Sequence, residues 1–239
     1  MKKIFLFCML IPLLGISQTK NVVSTFRVFA KPDKAAEFEK GFAAHAQKYH
    51  KGDWKWRVYE IQSGPDASGF HVIEGPLSWD DFDKRGNLGA EHTADWNKNV
   101  GPYITSQGTS SYVTFDADAS TVQMTDYADK ILINHMFPKP GMLDNANKLL
   151  AKMKKAWVLG NESMAVYRAV GSGAPQITTV QRLKAGLKEL DEKFRKPFPE
   201  RYAEANGEGS WNSFLTDYAM YIESRWSELL FLRADLGSK

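Results

Sequence analysis

Residues 25–83 of this chain recur at 133–191, displaced by 108 positions and without a gap. Phe29, Lys31 and Pro32 fall on Phe137, Lys139 and Pro140. Gly52 falls on Gly160, Val58-Tyr59 on Val166-Tyr167, Val72 on Val180, and Phe82-Asp83 on Leu190-Asp191. An ungapped offset that aligns turn residues, a strand pair and a helix start marks a structural repeat, and a repeat fixes architecture before any single residue does. The 239 residues therefore divide into two units of like construction, 18–118 and 119–239, preceded by a segment 1–17 of another kind.

That leading segment carries the marks of an export signal. Lys2-Lys3 is followed by the apolar run Ile4 to Ile16, and Gly15-Ile16-Ser17 supplies the small residues a signal peptidase reads, with Gln18 as the new terminus. It is shorter than the span of about 20 apolar residues that a bilayer requires. The expectation is an exported protein, periplasmic or extracellular, with no stable membrane anchor after cleavage. Cys8, the single cysteine, lies inside the apolar run, so the mature chain has no disulfide, thiolate ligand or cysteine nucleophile. Loss of Lys2 and Lys3 takes the formal charge from +3 to +1. So balanced a chain lacks the basic stripe of a nucleic-acid binder.

Within each unit the elements follow one order. Val22 to Ala30 alternates like a strand; Lys31-Pro32-Asp33 ends it, with Asp33 placed to cap the next element. Ala35 to Tyr49 has apolar residues at helical spacing, and Gly52 stops it. Trp56 to Gln62 and Phe70 to Gly75 read as a hairpin around a Gly-Pro loop. Ser78 caps a helical stretch broken by Gly86 and Gly89 before Val100, and Ser110 to Phe115 closes the unit. The acidic stretch Asp116 to Asp129 reads as a linker. The second unit repeats the order as strand 130–137, helix 142–159, strands 164–170 and 177–183, a longer helical region from 187 to 222 broken at Pro197, Pro199, Gly207 and Gly209, and strand 224–233. The order β-α-β-β-α-β, taken twice, gives an α+β protein: a tandem repeat of two ferredoxin-like units, each with one bare sheet face. A sheet with helices on one face must have its other face covered. The added length of the second helical region is expected to shape a pocket, as extra loop material often does.

In element order, in the Lys-Pro turn after the first strand, and in the Val-Tyr strand followed by a Gly-Pro hairpin loop, the chain resembles the dimeric α/β-barrel superfamily over about residues 22–118 and 130–234. That superfamily includes antibiotic-biosynthesis-type and haem-degrading monooxygenases, chlorite dismutases, lactone isomerases and stress-response proteins. The resemblance implies a monomer that forms internally the pairing other members obtain by dimerising, its two units packed sheet to sheet as an α/β-barrel. It also implies a binding site between the sheets.

The candidate site residues are few. Asn134 and His135 lie on the first strand of the second unit, and haem-degrading relatives place an Asn in a similar position. Those relatives take their axial His from the second helix of the same unit; here the corresponding His, His92, lies in the other unit. His92 and Asp95 stand i, i+3, a spacing that lets an acid orient an imidazole on a helix. Arg27 is the repeat equivalent of His135, so the two are expected to converge on one polar or anionic ligand group. Trp56, Tyr59 and Tyr167 are expected to line the binding site. The five histidines include no i, i+4 pair and no HExxH, so no metal site is predicted from local spacing, although ligands from distant strands could still meet. No motif names a cofactor or decides whether the chain is an enzyme. The leading expectation is a protein binding a small apolar or aromatic molecule between its sheets. The alternatives are a monooxygenase-like enzyme, cofactor-independent or haem-linked, using Asn134, His135 or His92, and a non-catalytic stress or interaction protein with a solid barrel.

Overall fold

In the computed structural model, which describes residues 19–239, eight antiparallel strands close into one barrel. The expected signal segment, 1–17, lies outside the described residues. Strand β1 (Val22–Ala30) leads to helix α1 (Ala35–Tyr49), β2 (Trp56–Ile61), β3 (Phe70–Leu77), α2 (Trp79–Lys84), α3 (Ala90–Asn99) and β4 (Ile104–Phe115). The second half runs β5 (Lys130–Pro138), α4 (Leu143–Leu159), β6 (Met164–Val170), β7 (Ile177–Arg182), α5 (Phe198–Asn206), α6 (Ser210–Tyr221) and β8 (Ile222–Leu232). The strand order around the barrel is β1-β3-β2-β8-β5-β7-β6-β4.

The two four-stranded halves do more than face one another. They hydrogen-bond edge to edge along β2 with β8, where Tyr59, Glu60 and Ile61 oppose Leu232, Phe231 and Leu230, and along β4 with β6, where Tyr112 to Phe115 oppose Val170 to Tyr167. Closure removes both open edges, which would otherwise recruit other strands. Alternation along each strand then separates two environments. On the outside, Phe38, Phe42 and Ala46 of α1 pack on Val28, Val58 and Val72. Fully burying a Phe of this kind contributes roughly 1.5–3 kcal/mol. Leu150 and Trp157 of α4 pack likewise on Met136, Val166 and Ile177. On the inside, Tyr59, Ile61, Ile131, Ile133 and Leu230 form one cluster and Val23, Phe115, Met124 and Ala165 another.

Several local expectations change. Asp33 does not cap α1: Lys34 occupies that position without a side-chain cap bond, and the helix ends at Tyr49 with His50 as its C-cap, ahead of Gly52. Ser78 does cap α2, in a reciprocal capping box with Asp81. The 116–129 stretch does not simply link: Met124 is buried and the segment closes one end of the barrel. The long second helical region becomes α5 and α6, which pack Tyr202 and Phe214 on Leu149 and Ala156 of α4. None of residues 184–221 lines the barrel cavity, so this added material braces a helix instead of shaping that pocket.

Candidate functional site

The barrel interior holds a cavity of about 380 Å³. Its middle is walled by Val23, Ile73, Val113, Ile131, Ile133 and Val180, the inward residues of five strands. That size and apolar character are usual for a small-molecule pocket.

Polar groups gather at the end covered by the two hairpin loops. Arg27 of β1 reaches Glu228 of β8 with both terminal nitrogens, Nη1 donating to Oε2 at 3.0 Å and Nη2 to Oε1, while Nη1 also pairs with Asp66 of the first hairpin loop. His135 Nε2 donates to Glu228 Oε1 at 2.8 Å, and Gln176 of the second hairpin loop donates to His135 Nδ1. The His135 ring stacks on Trp226 at 3.8 Å between centroids. Arg27 and His135, equivalent in the repeat, thus meet on one buried carboxylate. Burial would raise Glu228, but the hydrogen bonds from His135 and Arg27 outweigh it and hold the carboxyl below its ordinary range. Gly64 lets the first hairpin loop lie this close, since its φ is +101° and a Cβ there would stand 2.9 Å from the Glu228 Cβ and the Ser227 carbonyl oxygen.

Beside this network His71 of β3 also lines the cavity, and its Nδ1 is buried with no hydrogen-bond partner among the described residues. Burial, reinforced by Arg27, pushes His71 down to about 3, so the ring is neutral. A neutral imidazole with an unpaired nitrogen at a cavity wall offers a hydrogen bond that the fold itself leaves unused.

The opposite end is closed by protein. Tyr59 donates to the Ala128 carbonyl at 2.8 Å, and Arg182 donates to the Gln123 and Met124 carbonyls at 2.6 and 2.8 Å, to that of Asp126, and to the Tyr167 hydroxyl at 3.3 Å. Burial pushes Tyr59 up to about 12 and raises Tyr167, so both phenols stay protonated as wall groups.

The predicted residues thus separate into two groups. Arg27, His135, Tyr59 and Tyr167 line the cavity. Trp56, His92 and Asn134 do not. Trp56 lies among the outer core residues beneath α1 and donates from Nε1 to Glu74 at 3.0 Å. Asn134 points away from the lumen and accepts from Ser227 Oγ at 2.9 Å. His92 of α3 sits with its Nε2 3.2 Å from Nε2 of His45, and Asp95 serves His45 Nδ1 at 2.8 Å in place of its expected partner His92. A haem held by His92 with Asn134 over the iron finds no common pocket: one residue packs under α1, the other on the outer face of β5. The remaining groups, His71, Gln176, Trp226 and Glu228, escaped a reading based on repeat equivalence. Glu228 and Trp226 carried a signal all the same, an acid and an aromatic in phase with Leu230 on one face of a strand.

No family model and no curated protein matches the sequence. Solved structures do match in shape. An anthrone oxidase-like protein superposes with a TM-score of 0.55 and 11% identity over 90% of this chain and 92% of its own. A candidate monooxygenase from Fusobacterium nucleatum subsp. nucleatum ATCC 25586 gives 0.53 and 9%, over 88% and 91%. A candidate chlorite dismutase gives 0.50 and 10%, over 90% and 96%. The fold is shared; the sequence is not. The chain is an α+β protein built on a closed eight-stranded antiparallel barrel, and likeness at this identity carries the architecture alone.

Proposed function

We propose that the barrel cavity binds a small, mainly aromatic or apolar molecule whose hydrogen-bonding head rests against His71 beside the Arg27–Glu228–His135 network. The observation that carries this is His71, a neutral ring lining a cavity that is apolar through its middle, whose Nδ1 is buried without a partner among the described residues. A buried polar atom without a partner costs roughly 1–3 kcal/mol, and a ligand hydroxyl that pairs with it recovers part of that cost. The cavity volume speaks against a solid barrel serving only interaction. In this reading the chain is a tandem of two ferredoxin-like units, an internal pseudo-dimer, exported after removal of residues 1–17.

The test compares 1-naphthol with naphthalene, followed by tryptophan fluorescence. Saturable binding of 1-naphthol at one equivalent is expected, weakened about tenfold by His71→Phe, with naphthalene affinity changed far less. A tenfold change corresponds to about 1.4 kcal/mol, the scale of one net hydrogen bond. Absence of saturable binding by either probe would remove the reading.

A second reading is a monooxygenase-like enzyme that oxidises a bound hydroxyaromatic molecule with dioxygen and no resident cofactor. Its support is the neutral, unpaired His71 ring among the residues lining the cavity, in a fold shared with an anthrone oxidase-like protein. A ring with so low a proton affinity is a weak base at neutral pH, which keeps binding in front. Dioxygen uptake with anthrone, lost in His71→Phe, would reverse that order.

A further inference from the structure

Outside the barrel, three of the five histidines meet in one place. His45 lies in the last turns of α1, His50 follows directly after its end, and His92 lies on α3. We propose that His45, His50 and His92 form a three-histidine site for a divalent first-row transition metal ion of the zinc class.

The geometry carries the assignment. One ring nitrogen from each residue lies within 4.8 Å of the others, and the Nε2 atoms of His45 and His92 are 3.2 Å apart. Two imidazole nitrogens on one tetrahedral ion, each at about 2.0–2.1 Å, stand roughly 3.3–3.4 Å from one another. The pair is therefore already spaced as metal ligands, and a ring nitrogen of His50 lies within 4.8 Å of both.

The carboxylate hydrogen bonds leave a lone pair on the correct atoms. His45 Nδ1 lies 2.8 Å from Asp95 Oδ2, and His50 Nδ1 lies 3.3 Å from Glu74 Oε2. A carboxylate only accepts, so each Nδ1 carries the proton and each Nε2 keeps a lone pair. His50 is 2% exposed, and its Nε2 has no partner among the described residues. Imidazoles whose second nitrogen is fixed by a carboxylate are the usual ligands of zinc-type ions. Both carboxylates are themselves held. Glu74 accepts two hydrogen bonds from Arg85 at 2.6 and 2.8 Å and one from Trp56 Nε1, while Asp95 accepts from Asn99 at 2.9 Å. Trp56 stacks on His50 at 3.5 Å, fixing that ring. His45 is wholly buried and His92 only half-buried, so an ion enters from the His92 side, where water completes four-coordination. An all-imidazole set suits zinc, copper or nickel over magnesium or calcium.

The experiment uses the mature chain without any affinity tag, cleared of metal by a chelator and titrated with Co²⁺ and then Zn²⁺. One equivalent of Co²⁺ is expected to produce the visible absorption of a four-coordinate ion, and one equivalent of Zn²⁺ to abolish it. His92→Ala removes a half-buried ring from a helix surface, and circular dichroism verifies its folding. It is expected to lose at least tenfold in Zn²⁺ affinity. Asp95→Asn, which retains all three rings, is expected to lose about 10–100-fold, the usual effect of disturbing a carboxylate behind a ligand. No saturable Co²⁺ spectrum in the wild-type protein, or wild-type affinity in a folded His92→Ala, overturns the proposal.

Discussion

Glu228 holds two cation-capable partners at a depth where water cannot replace either, and its contribution depends on its charge. Its side chain is fully buried, with Arg27 and His135 as hydrogen-bond donors and Asp66 as the other acid on Arg27. Removing one member of such a buried group strands the rest, a loss of about 3–5 kcal/mol, with the lower end expected here because Asp66 still faces Arg27. Glu228→Gln should therefore lower unfolding free energy in urea by about 3 kcal/mol at pH 7. The carboxyl's folded pKa is depressed, so its stabilisation is complete above the unfolded value near 4.3 and disappears as pH falls through the folded one. The gap between mutant and wild type should narrow progressively as pH falls below that unfolded value; a gap that stays constant would mean packing, not charge, is lost. His71 acts over a higher window. With a folded value of about 3 against an ordinary 6.5, it takes up a proton only on unfolding. Its share of stability is full above about pH 6.5 and drains toward pH 3. His71→Phe should flatten the fall in urea midpoint between pH 6.5 and 4.5, whereas an unchanged slope would show that His71 is not buried as a neutral ring.

Elements announced themselves in the sequence wherever local chemistry and tertiary demand agreed. The periodicity of Ala35 to Tyr49 predicts α1 at its observed bounds because Phe38, Phe42 and Ala46 must face the sheet at i, i+4 and i+8. The lining residues Arg27 and His135 were legible through repeat equivalence, since strand alternation gives both the same inward phase. The three-histidine cluster was not legible. His45 and His50 are five apart, which no single helix face accommodates; they converge because the helix stops at Tyr49 and His50 turns back with φ −107° and ψ 90°. Matching glycines also proved unequal: Gly52 adopts φ +61°, while Gly160 leaves room for the Arg201 guanidinium, 2.2 Å from where a Cβ would sit. The α5–α6 insertion carries its own test at this scale. Phe214, 6% exposed, packs on Tyr202 and Trp211, so Phe214→Ala should cost about 3–5 kcal/mol. Because the insertion lies off the cavity, 1-naphthol affinity in the folded variant should stay within about twofold. A larger loss would mean that bracing α4 also shapes the barrel interior.

Over the whole molecule, the decisive feature is that the chain's end returns to its beginning. After β8, the last element of the second half, Leu236 is 2% exposed and packs with Phe38, Phe42, Trp56 and Val58 beneath α1 of the first half. Ser238 brackets β2, its N–H donating to the Trp56 carbonyl at 3.0 Å and its Oγ accepting from the Trp56 N–H at 2.9 Å. Arg233 adds Glu39 of α1 and Glu60 of β2, at 2.8 and 3.2 Å. Together with the two strand seams and an interior whose clusters draw on both halves, this clasp ties the two helix-covered cores into one structure. The molecule should therefore unfold as one unit, with calorimetric and van't Hoff enthalpies equal despite the repeat in its sequence. Leu236→Ala supplies the sharper form of the argument. Removing a buried Leu side chain costs about 2–5 kcal/mol. In a cooperative barrel that cost should lower a single transition seen identically by far-ultraviolet circular dichroism and by fluorescence. Were the halves independent, the same substitution would split the transition, lowering the part that reports Trp54, Trp56 and Trp96 while leaving Trp157, Trp211 and Trp226 unmoved. Coincident probes in both proteins, with the mutant curve displaced as a whole, would show that the repeat describes how the chain is written and the barrel describes how it holds together.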